Sequence, residues 1–287
     1  RFGNRRPPTA AYAAFSPVFG FDAENDAYFG GNFWNGRATG AILGNPSADQ
    51  ALGPFLNPNE QALPDMACVV YRVSESRYAL LFMREFGRDI RDIDFPRTTD
   101  RQCGIEGSRI ALSAVDRQRV QTQYYNVARA IAAFEKSDEV SPFNSEYDAA
   151  LAGRGRLSAQ EMRGLALFVG KGNCAACHPS EGPRAMFTDF TYDNIGVPAN
   201  PENPARVASG FIDLGLGETL QDPSLHGAQK VPTLRNLDKR PSSRDEKSFM
   251  HNGVFKSIEQ VVHFYNTRDV LPRCAPGVGP SDRRFGR

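Results

Sequence analysis

The stretch Cys174-Ala175-Ala176-Cys177-His178 decides how the rest of this 287-residue sequence is interpreted. Two thiols three positions apart on one turn can bond the two vinyl-derived carbons of a porphyrin, while the adjacent imidazole coordinates its iron. A zinc site or a redox-active dithiol would use the same cysteine spacing, but the sequence has no second cysteine pair to complete a zinc site. The motif therefore predicts a covalently attached c-type haem.

The residue on the far side of the iron decides what such a haem does. A methionine raises the reduction potential and favours electron transfer, whereas an open position permits reaction with peroxide or oxygen. Among the five methionines, Met250 stands in the polar, glycine-ended stretch Ser248–Gly253, which suits the presentation of a thioether to a metal. Core packing is the alternative role of any methionine, and His251 is an alternative ligand. We predict Met250 as the sixth ligand.

Helices are predicted on both sides of the haem motif. Ser158 to Glu161 have the capping-box pattern, in which the serine accepts a backbone hydrogen bond and the glutamate reaches back. The apolar residues that follow share one helical face and are expected to be buried: Met162, Leu165, Phe168 and Val169. Ser257 to Gln260 repeat the capping pattern before another apolar face, made of Ile258, Val261, Val262 and Tyr265.

The remaining sequence favours further helices joined by long ordered loops. Residues 65–86 fit two short helices broken near Ser74 to Ser76, and residues 114–137 fit a longer one. The apolar stripe of the longer helix consists of Val120, Tyr124, Val127, Ile131 and Phe134. The 26 glycines and 20 prolines cluster between apolar segments, and no alternating strand of useful length occurs. The predicted fold class is therefore mainly α with little β structure.

Length and charge limit the organisation and the partners of the chain. A chain of 287 residues is long enough for two domains, and the flexible segment Ala152–Arg156 is the predicted boundary between residues 1–152 and 153–287. The 34 lysines and arginines nearly balance the 33 acidic residues, so no global field favours nucleic acid or an anionic membrane. No apolar run approaches the roughly 18 residues that span a bilayer. The sequence predicts neither a nucleic-acid partner nor a membrane span.

The cysteines indicate the compartment. Besides the two in the haem motif, the chain has Cys68, Cys103 and Cys274. Haem is attached to such motifs outside the bacterial cytoplasm, where disulfides also persist, so we expect a periplasmic or otherwise exported protein with Cys68 paired to Cys103. Cys274 is then either a free thiol or paired with a cysteine beyond residue 287.

The chain resembles the bacterial dihaem cytochrome c peroxidases and their MauG-like relatives along nearly its whole length. The resemblance rests on a series of motifs in the family's order: Phe33–Ala38, Gln50–Pro54, Asn57–Glu60, the haem motif, Val231–Asn236 and Met250–Gly253. It implies two cytochrome c-like haem domains with long ordered loops, a peroxidatic domain in 1–152 and an electron-transfer domain in 153–287. It implies two covalent haems c in the full-length protein, the second motif lying upstream of Arg1, and a terminal helical segment beyond Arg287.

The resemblance also implies roles for single residues. Trp34 matches the tryptophan that relays electrons between the two haems, although a lone tryptophan is otherwise a core aromatic. Glu60 matches the distal acid of the peroxidatic pocket, Gln50 its polar neighbour and Pro54 a residue lining the same loop. Splitting an O–O bond requires moving a proton from one oxygen to the other, which a carboxylate can do. Outside this motif, Glu60 would be taken for an ordinary surface residue.

A calcium ion between the domains is a further implication of the resemblance. Its protein ligands in the family are an asparagine side chain and backbone carbonyls, which here correspond to Lys230 and Pro232. The position of the asparagine is occupied by Arg6, a cation that cannot ligate calcium. The stretch from Thr39 to Ser47 is also longer than in the plain peroxidases.

The leading functional interpretation is a peroxidase that reduces hydrogen peroxide to water. Its electrons would come from a small periplasmic cytochrome c or copper protein, enter at the C-terminal haem and pass through Trp34. The alternative is a MauG-like oxidase that modifies tryptophan or other residues of a partner protein, against which Met250 argues because that group usually has a tyrosine there. A further alternative is a non-catalytic electron-transfer cytochrome. By analogy with the family, a homodimer is expected.

Overall fold

Helices are the main regular structure of the chain in the computed structural model, which describes residues 3–239, 242 and 244–270. The α-helices are α1 Pro46–Ala51, α2 Met66–Ser74, α3 Ala79–Phe86, α4 Thr99–Gln102, α5 Ala114–Lys136, α6 Glu146–Leu151, α7 Ala159–Val169, α8 Pro204–Ser209, α9 Leu216–Leu220 and α10 Ile258–Thr267. The mainly α fold class is confirmed, including two short helices in 65–86 and a long one from 114. Long loops connect the helices. No helix of the described segments has both the length and the apolar character that a bilayer span requires.

The largest core is built around α5. Ser113 begins this helix by accepting a hydrogen bond from the Asp116 amide, and Val120 and Tyr124 are buried against residues of α2 and α3. The helix also packs along α1. The predicted stripe is correct except at Phe134, which is 54% exposed. Phe134 lies in the last turn of α5, where the apolar spacing continues beyond the elements that cover the face.

A disulfide between Cys68 and Cys103 reinforces this core, as predicted. Cys68 belongs to α2 and Cys103 follows α4, and both are buried. Cys174 and Cys177 are free. The expectation for Cys274 lies outside the described residues.

Short strands tie the N-terminal part of the chain to the region after the haem motif. Strands β1 Gly20–Asp22 and β2 Ala27–Phe29 form an antiparallel hairpin that the sequence had not indicated. Strands β3 Tyr192–Asp193 and β4 Gln229–Lys230 form a second antiparallel pair. A bridge between Phe29 and Thr191 joins the two ribbons. Strands of two or three residues have too few alternating positions to be recognised from hydrophobicity.

The apolar stripe predicted for α7 is not covered by other protein segments in the described part of the chain. Both hydrogen bonds of the Ser158–Glu161 capping box are present, but Met162 is 60% and Val169 49% exposed, and Leu165 and Phe168 are only partly buried. Periodicity defines which side chains share a face, whereas burial requires a second element over that face. Helix α7 packs chiefly against the turn that carries Cys174.

Helix α10 shows the same pattern. Ser257 caps it by accepting from the Gln260 amide, but the Gln260 side chain accepts from the Lys256 amide, so the reciprocal half of the box is replaced. On its apolar face Val262 and Tyr265 are exposed.

Candidate functional site

The haem motif forms one tight turn. Cys174 to Ala176 make a single 3-10 turn, and the amides of Cys177 and His178 both donate to the Cys174 carbonyl. This places both free thiols and the imidazole on one short segment. Cys174 is exposed and Cys177 is partly buried.

The imidazole of His178 is oriented by the main chain. Its Nδ1 lies 2.7 Å from the carbonyl oxygen of Phe187. Because a carbonyl can only accept, Nδ1 carries the proton and Nε2 keeps the lone pair that a metal needs. Burial lowers the pKa of His178, which favours the neutral, ligating form. The Phe187 ring packs against Tyr147 of α6 and Phe168 of α7, at 5.4 and 6.1 Å between ring centroids.

The haem motif adjoins exposed apolar surface, and the Asp193 carboxylate lies 3.8 Å from the Cys177 thiol. Tyr265 of α10 is near the two thiols, and burial of its phenol, followed by the charges of the thiols, raises its pKa although the side chain as a whole is 46% exposed. Met162, Val169 and Val262 expose apolar surface on α7 and α10. Two free thiols, a neutral imidazole and an adjoining apolar surface are the donor set and environment of a c-type haem, so Cys174, Cys177 and His178 fit this group. Tyr265 was assigned from sequence only to an apolar helix face.

Met250 lies in a tight loop. The Phe249 amide donates to the Phe255 carbonyl at 2.8 Å, which closes the loop, and the Gly253 amide donates to the Met250 carbonyl. Met250 itself has a positive φ of 67° and is partly buried. A left-handed backbone is uncommon outside glycine and marks a site where the direction of a side chain is imposed. Ligation by Met250 stays a prediction.

Trp34 is buried next to this loop. Its side chain is 7% exposed, and its indole Nε1 donates to the Arg6 carbonyl at 2.7 Å. The indole meets the His251 imidazole edge-on, at 6.4 Å between ring centroids. The Arg6 amide donates to the His251 carbonyl at 2.7 Å, and the Lys230 amide donates to the Trp34 carbonyl at 2.8 Å. Trp34 is therefore fixed beside the residue that follows Met250.

A polar network surrounds these aromatic groups. Arg5 forms two 2.7 Å hydrogen bonds with Asp213 and one of 2.6 Å with Glu218. Asp213 lies 3.7 Å from Nε2 of His251, and Asn35 donates to Glu218. Burial lowers the pKa of His251. Sequence reasoning missed Arg5 and Asp213, which are 208 positions apart and belong to no motif.

The three predicted residues of the peroxidatic pocket belong to one continuous segment. Gln50 lies in the last turn of α1 and its carbonyl accepts from the Gly53 amide, while the Pro54 carbonyl accepts from the Gln61 amide. This folds the loop back on itself and presents Glu60. The Glu60 carboxylate accepts from the Asn57 side chain at 2.9 Å and lines an open pocket of about 510 Å³ beside the Cys103 segment. Glu60 is exposed.

The Glu60 loop also approaches the tryptophan segment. The charge of Glu60 acts on Arg37, whose guanidinium stacks on Phe33 at 3.5 Å. Burial, rather than these charges, is the main cause that lowers the pKa of Arg37. Glu60 therefore lies within electrostatic range of the segment that carries Trp34.

Lys230 and Pro232 lie close to both the tryptophan and the haem motif. The Lys230 ammonium stands 5.4 Å from the centre of the Phe190 ring, and burial lowers its pKa to about 8. The Pro232 carbonyl lies near the His178 ring. Their backbone positions are where the resemblance puts calcium ligands.

Comparisons with known proteins agree with these features. A family profile described as di-haem cytochrome c peroxidase matches residues 1–156. The methylamine utilization protein MauG of Paracoccus denitrificans is 35% identical over 275 residues, covering 92% of this chain and 60% of MauG. The cytochrome-c peroxidase IdrP1 of Denitromonas iodatirespirans is 28% identical over 257 residues, covering 84% of this chain and 57% of IdrP1.

Among solved structures, the diheme peroxidase BthA from Burkholderia thailandensis is similar with a TM-score of 0.72 and 31% sequence identity. That match covers 93% of this chain and 58% of BthA. The chain spans less than two thirds of the length of these relatives. The profile covers more than half of the chain, and a relative above 30% identity covers nearly all of it. The chain belongs to the di-haem cytochrome c peroxidase family.

Proposed function

We propose that this chain is part of a periplasmic dihaem peroxidase that reduces hydrogen peroxide to water with electrons from a small redox protein. The observation that carries the proposal is the placement of Trp34. It is buried against His251, the residue that follows the predicted haem ligand Met250. A buried, redox-active aromatic in this position is suited to relay electrons.

Each group has a distinct part in this proposal. Haem c, held by Cys174, Cys177, His178 and Met250, supplies a redox-active iron when it is bound. Glu60 accepts a proton from one peroxide oxygen and returns it to the other. Gln50 holds peroxide or water by hydrogen bonding without adding charge. Pro54 shapes the turn between them.

A MauG-like oxidase is the second candidate. The 35% identity with MauG over 92% of this chain favours it, while a methionine at position 250 favours the peroxidase on the family resemblance. The two activities use the same cofactors and differ in the final electron source. A protein-oxidising enzyme takes electrons from a partner's side chains, whereas a peroxidase takes them from a reduced carrier.

Glu60→Gln in the full-length protein tests the proposed chemistry. Because general acid–base catalysis contributes about 10²–10⁴-fold, we expect peroxide turnover with a reduced small cytochrome to fall about 100-fold or more. Haem content, measured as the pyridine haemochrome, should stay at two per chain. Glu139→Gln, an exposed glutamate elsewhere, is the matched control and should retain full turnover.

Two results would overturn the proposal. Near wild-type peroxide turnover in Glu60→Gln would remove the acid–base role, and one haem per full-length chain would contradict the dihaem interpretation. Oxidised tryptophan in a co-purifying protein, without peroxide reduction by a reduced cytochrome, would establish the oxidase instead.

A further inference from the structure

We infer that Arg6 is a positioning residue whose fixed positive charge replaces a bound calcium ion at the junction of Trp34 and the Met250 loop. The backbone of Arg6 makes this junction. Its carbonyl accepts from the Trp34 indole and its amide donates to the His251 carbonyl, both at 2.7 Å. One peptide unit on each side of Arg6 therefore holds the tryptophan against the loop.

The side chain of Arg6 brings an unbalanced charge to this place. The adjacent Arg5 is neutralised by Asp213 and Glu218. Within the described ranges Arg6 has no carboxylate partner, although it is partly buried. A partly desolvated guanidinium without an anion is costly, so its retention calls for a role. Because a guanidinium does not lose its proton in proteins, the charge is permanent.

The groups at this junction do not fit a calcium ion. Calcium takes six to eight oxygen ligands, commonly with carboxylates, and the carboxylate beside His251, that of Asp213, is already paired with Arg5. The side-chain oxygen that the family resemblance assigns to position 6 is absent.

A second cation makes calcium still less favourable there. Lys230 donates its amide to the Trp34 carbonyl and keeps its ammonium near Phe190. Arg6 and Lys230 thus contact Trp34 through their backbones from two sides, and both carry positive side chains. Neither side chain supplies an oxygen that could ligate calcium. The junction is held by direct backbone hydrogen bonds. The positive charge that we assign to it belongs to the side chain of Arg6.

The test compares calcium dependence in full-length holoprotein for wild type, Arg6→Asn, Arg6→Lys and the exposed control Arg77→Asn. After treatment with EGTA, each is titrated with CaCl₂ by calorimetry and its thermal unfolding is followed with and without calcium. These readouts do not involve peroxide, so they stand apart from the proposed activity. For wild type, Arg6→Lys and Arg77→Asn we expect no heat of calcium binding and the same Tm with and without calcium.

Arg6→Asn removes the charge and restores an amide oxygen, so we expect it to bind calcium and to gain several degrees in Tm when calcium is added. A wild-type protein that holds stoichiometric calcium and loses Tm in EGTA would overturn the inference, whether or not the variants fold. Equal calcium responses in Arg6→Asn and Arg6→Lys would also overturn it, because Arg6→Lys keeps the positive charge and supplies no side-chain oxygen.

Discussion

Single residues at the site are directed by main-chain groups rather than by other side chains. The Phe187 carbonyl selects the tautomer of His178, and the Arg6 carbonyl fixes the Trp34 indole. Main-chain acceptors add no charge and cannot titrate. The imidazole of His178 and the indole of Trp34 therefore keep their orientation over a wide pH range. This suits an imidazole that is predicted to ligate haem iron and an indole that is proposed to relay electrons.

Gly36 shows why one motif residue has no side chain. Its φ is +71°, and a Cβ there would lie 2.3 Å from the hydroxyl oxygen of Tyr192. That hydroxyl donates to the Gly30 carbonyl at 2.6 Å. A side chain at position 36 would push Tyr192 away and separate the tryptophan segment from β3. The need for glycine after Trp34-Asn35 is thus steric.

Replacing Met250 tests the predicted sixth ligand at the residue scale. In Met250→Ala we expect the far-red methionine-to-iron charge-transfer band to disappear and the reduction potential to fall, because the thioether stabilises the reduced metal. Haem should remain attached through Cys174 and Cys177. Met83→Ala, on α3 against the core around α5, should keep the band. Persistence of the band in Met250→Ala would contradict the assignment, and its absence from the wild type would favour His251.

At the scale of single elements, α7 runs from its N-terminal cap at Ser158 towards the haem motif. Its Ser158 accepts from the Glu161 amide, and Glu161 returns a bond to the Ser158 amide. Beyond its far end Gly172 donates to the Leu167 carbonyl, and Cys174 follows at once. The helix therefore starts at a cap formed by neighbouring residues. Its C-terminal end leads into the turn that carries Cys174 and Cys177.

Ser158→Ala should destabilise α7 by about 1 kcal/mol, because it removes an N-terminal cap. We expect this loss in chemical unfolding followed by circular dichroism, with Ser158→Asp restoring most of the stability. Ser209→Ala, at an exposed serine in α8 that is not an N-cap, should change stability by less than about 0.5 kcal/mol. Equal effects of Ser158→Ala and Ser209→Ala would show that the cap contributes nothing.

At the scale of the whole molecule, one buried ion pair connects distant parts of the chain. Arg235 donates to both carboxylate oxygens of Asp148 in α6, at 3.0 and 2.8 Å, and to the Ala185 carbonyl at 2.6 Å. Its guanidinium also lies 4.4 Å from the Phe143 ring centre. The pair joins the last helix before the predicted domain boundary to the Val231–Asn236 motif. The division into domains at residue 152 stays a prediction.

This pair predicts a defined acid sensitivity. The hydrogen bonds from Arg235 lower the pKa of Asp148 to about 2 from 3.8. A depressed carboxyl pKa stabilises the folded state fully above about pH 4, and this contribution is lost as the pH falls towards 2. It amounts to about 2 kcal/mol, and an unpaired buried Arg235 adds to the loss in a variant.

Asp148→Asn should therefore lower the free energy of unfolding by at least about 2 kcal/mol at neutral pH. The difference from wild type should shrink between about pH 4 and pH 2. Denaturant unfolding at a series of pH values measures both effects, with the exposed Asp138→Asn as the matched control. A difference that stays constant down to pH 2 would contradict the assigned pKa.

The sequence by itself determined the local features of this protein. It predicted the haem-binding turn at Cys174–His178, the cap of α7, the helices α2, α3 and α5, and the pairing of Cys68 with Cys103, because these depend on neighbouring residues, on helical periodicity or on the few cysteines available. The motifs also predicted the family to which the chain belongs.

Only the tertiary structure decided which faces are covered and which distant residues meet. It left the α7 stripe and Phe134 exposed, placed His251 against Trp34, and joined Arg5 to Asp213 and Arg235 to Asp148. Periodicity is a property of one segment, whereas burial and ion pairing depend on a second segment whose approach is set by the packing of the whole chain.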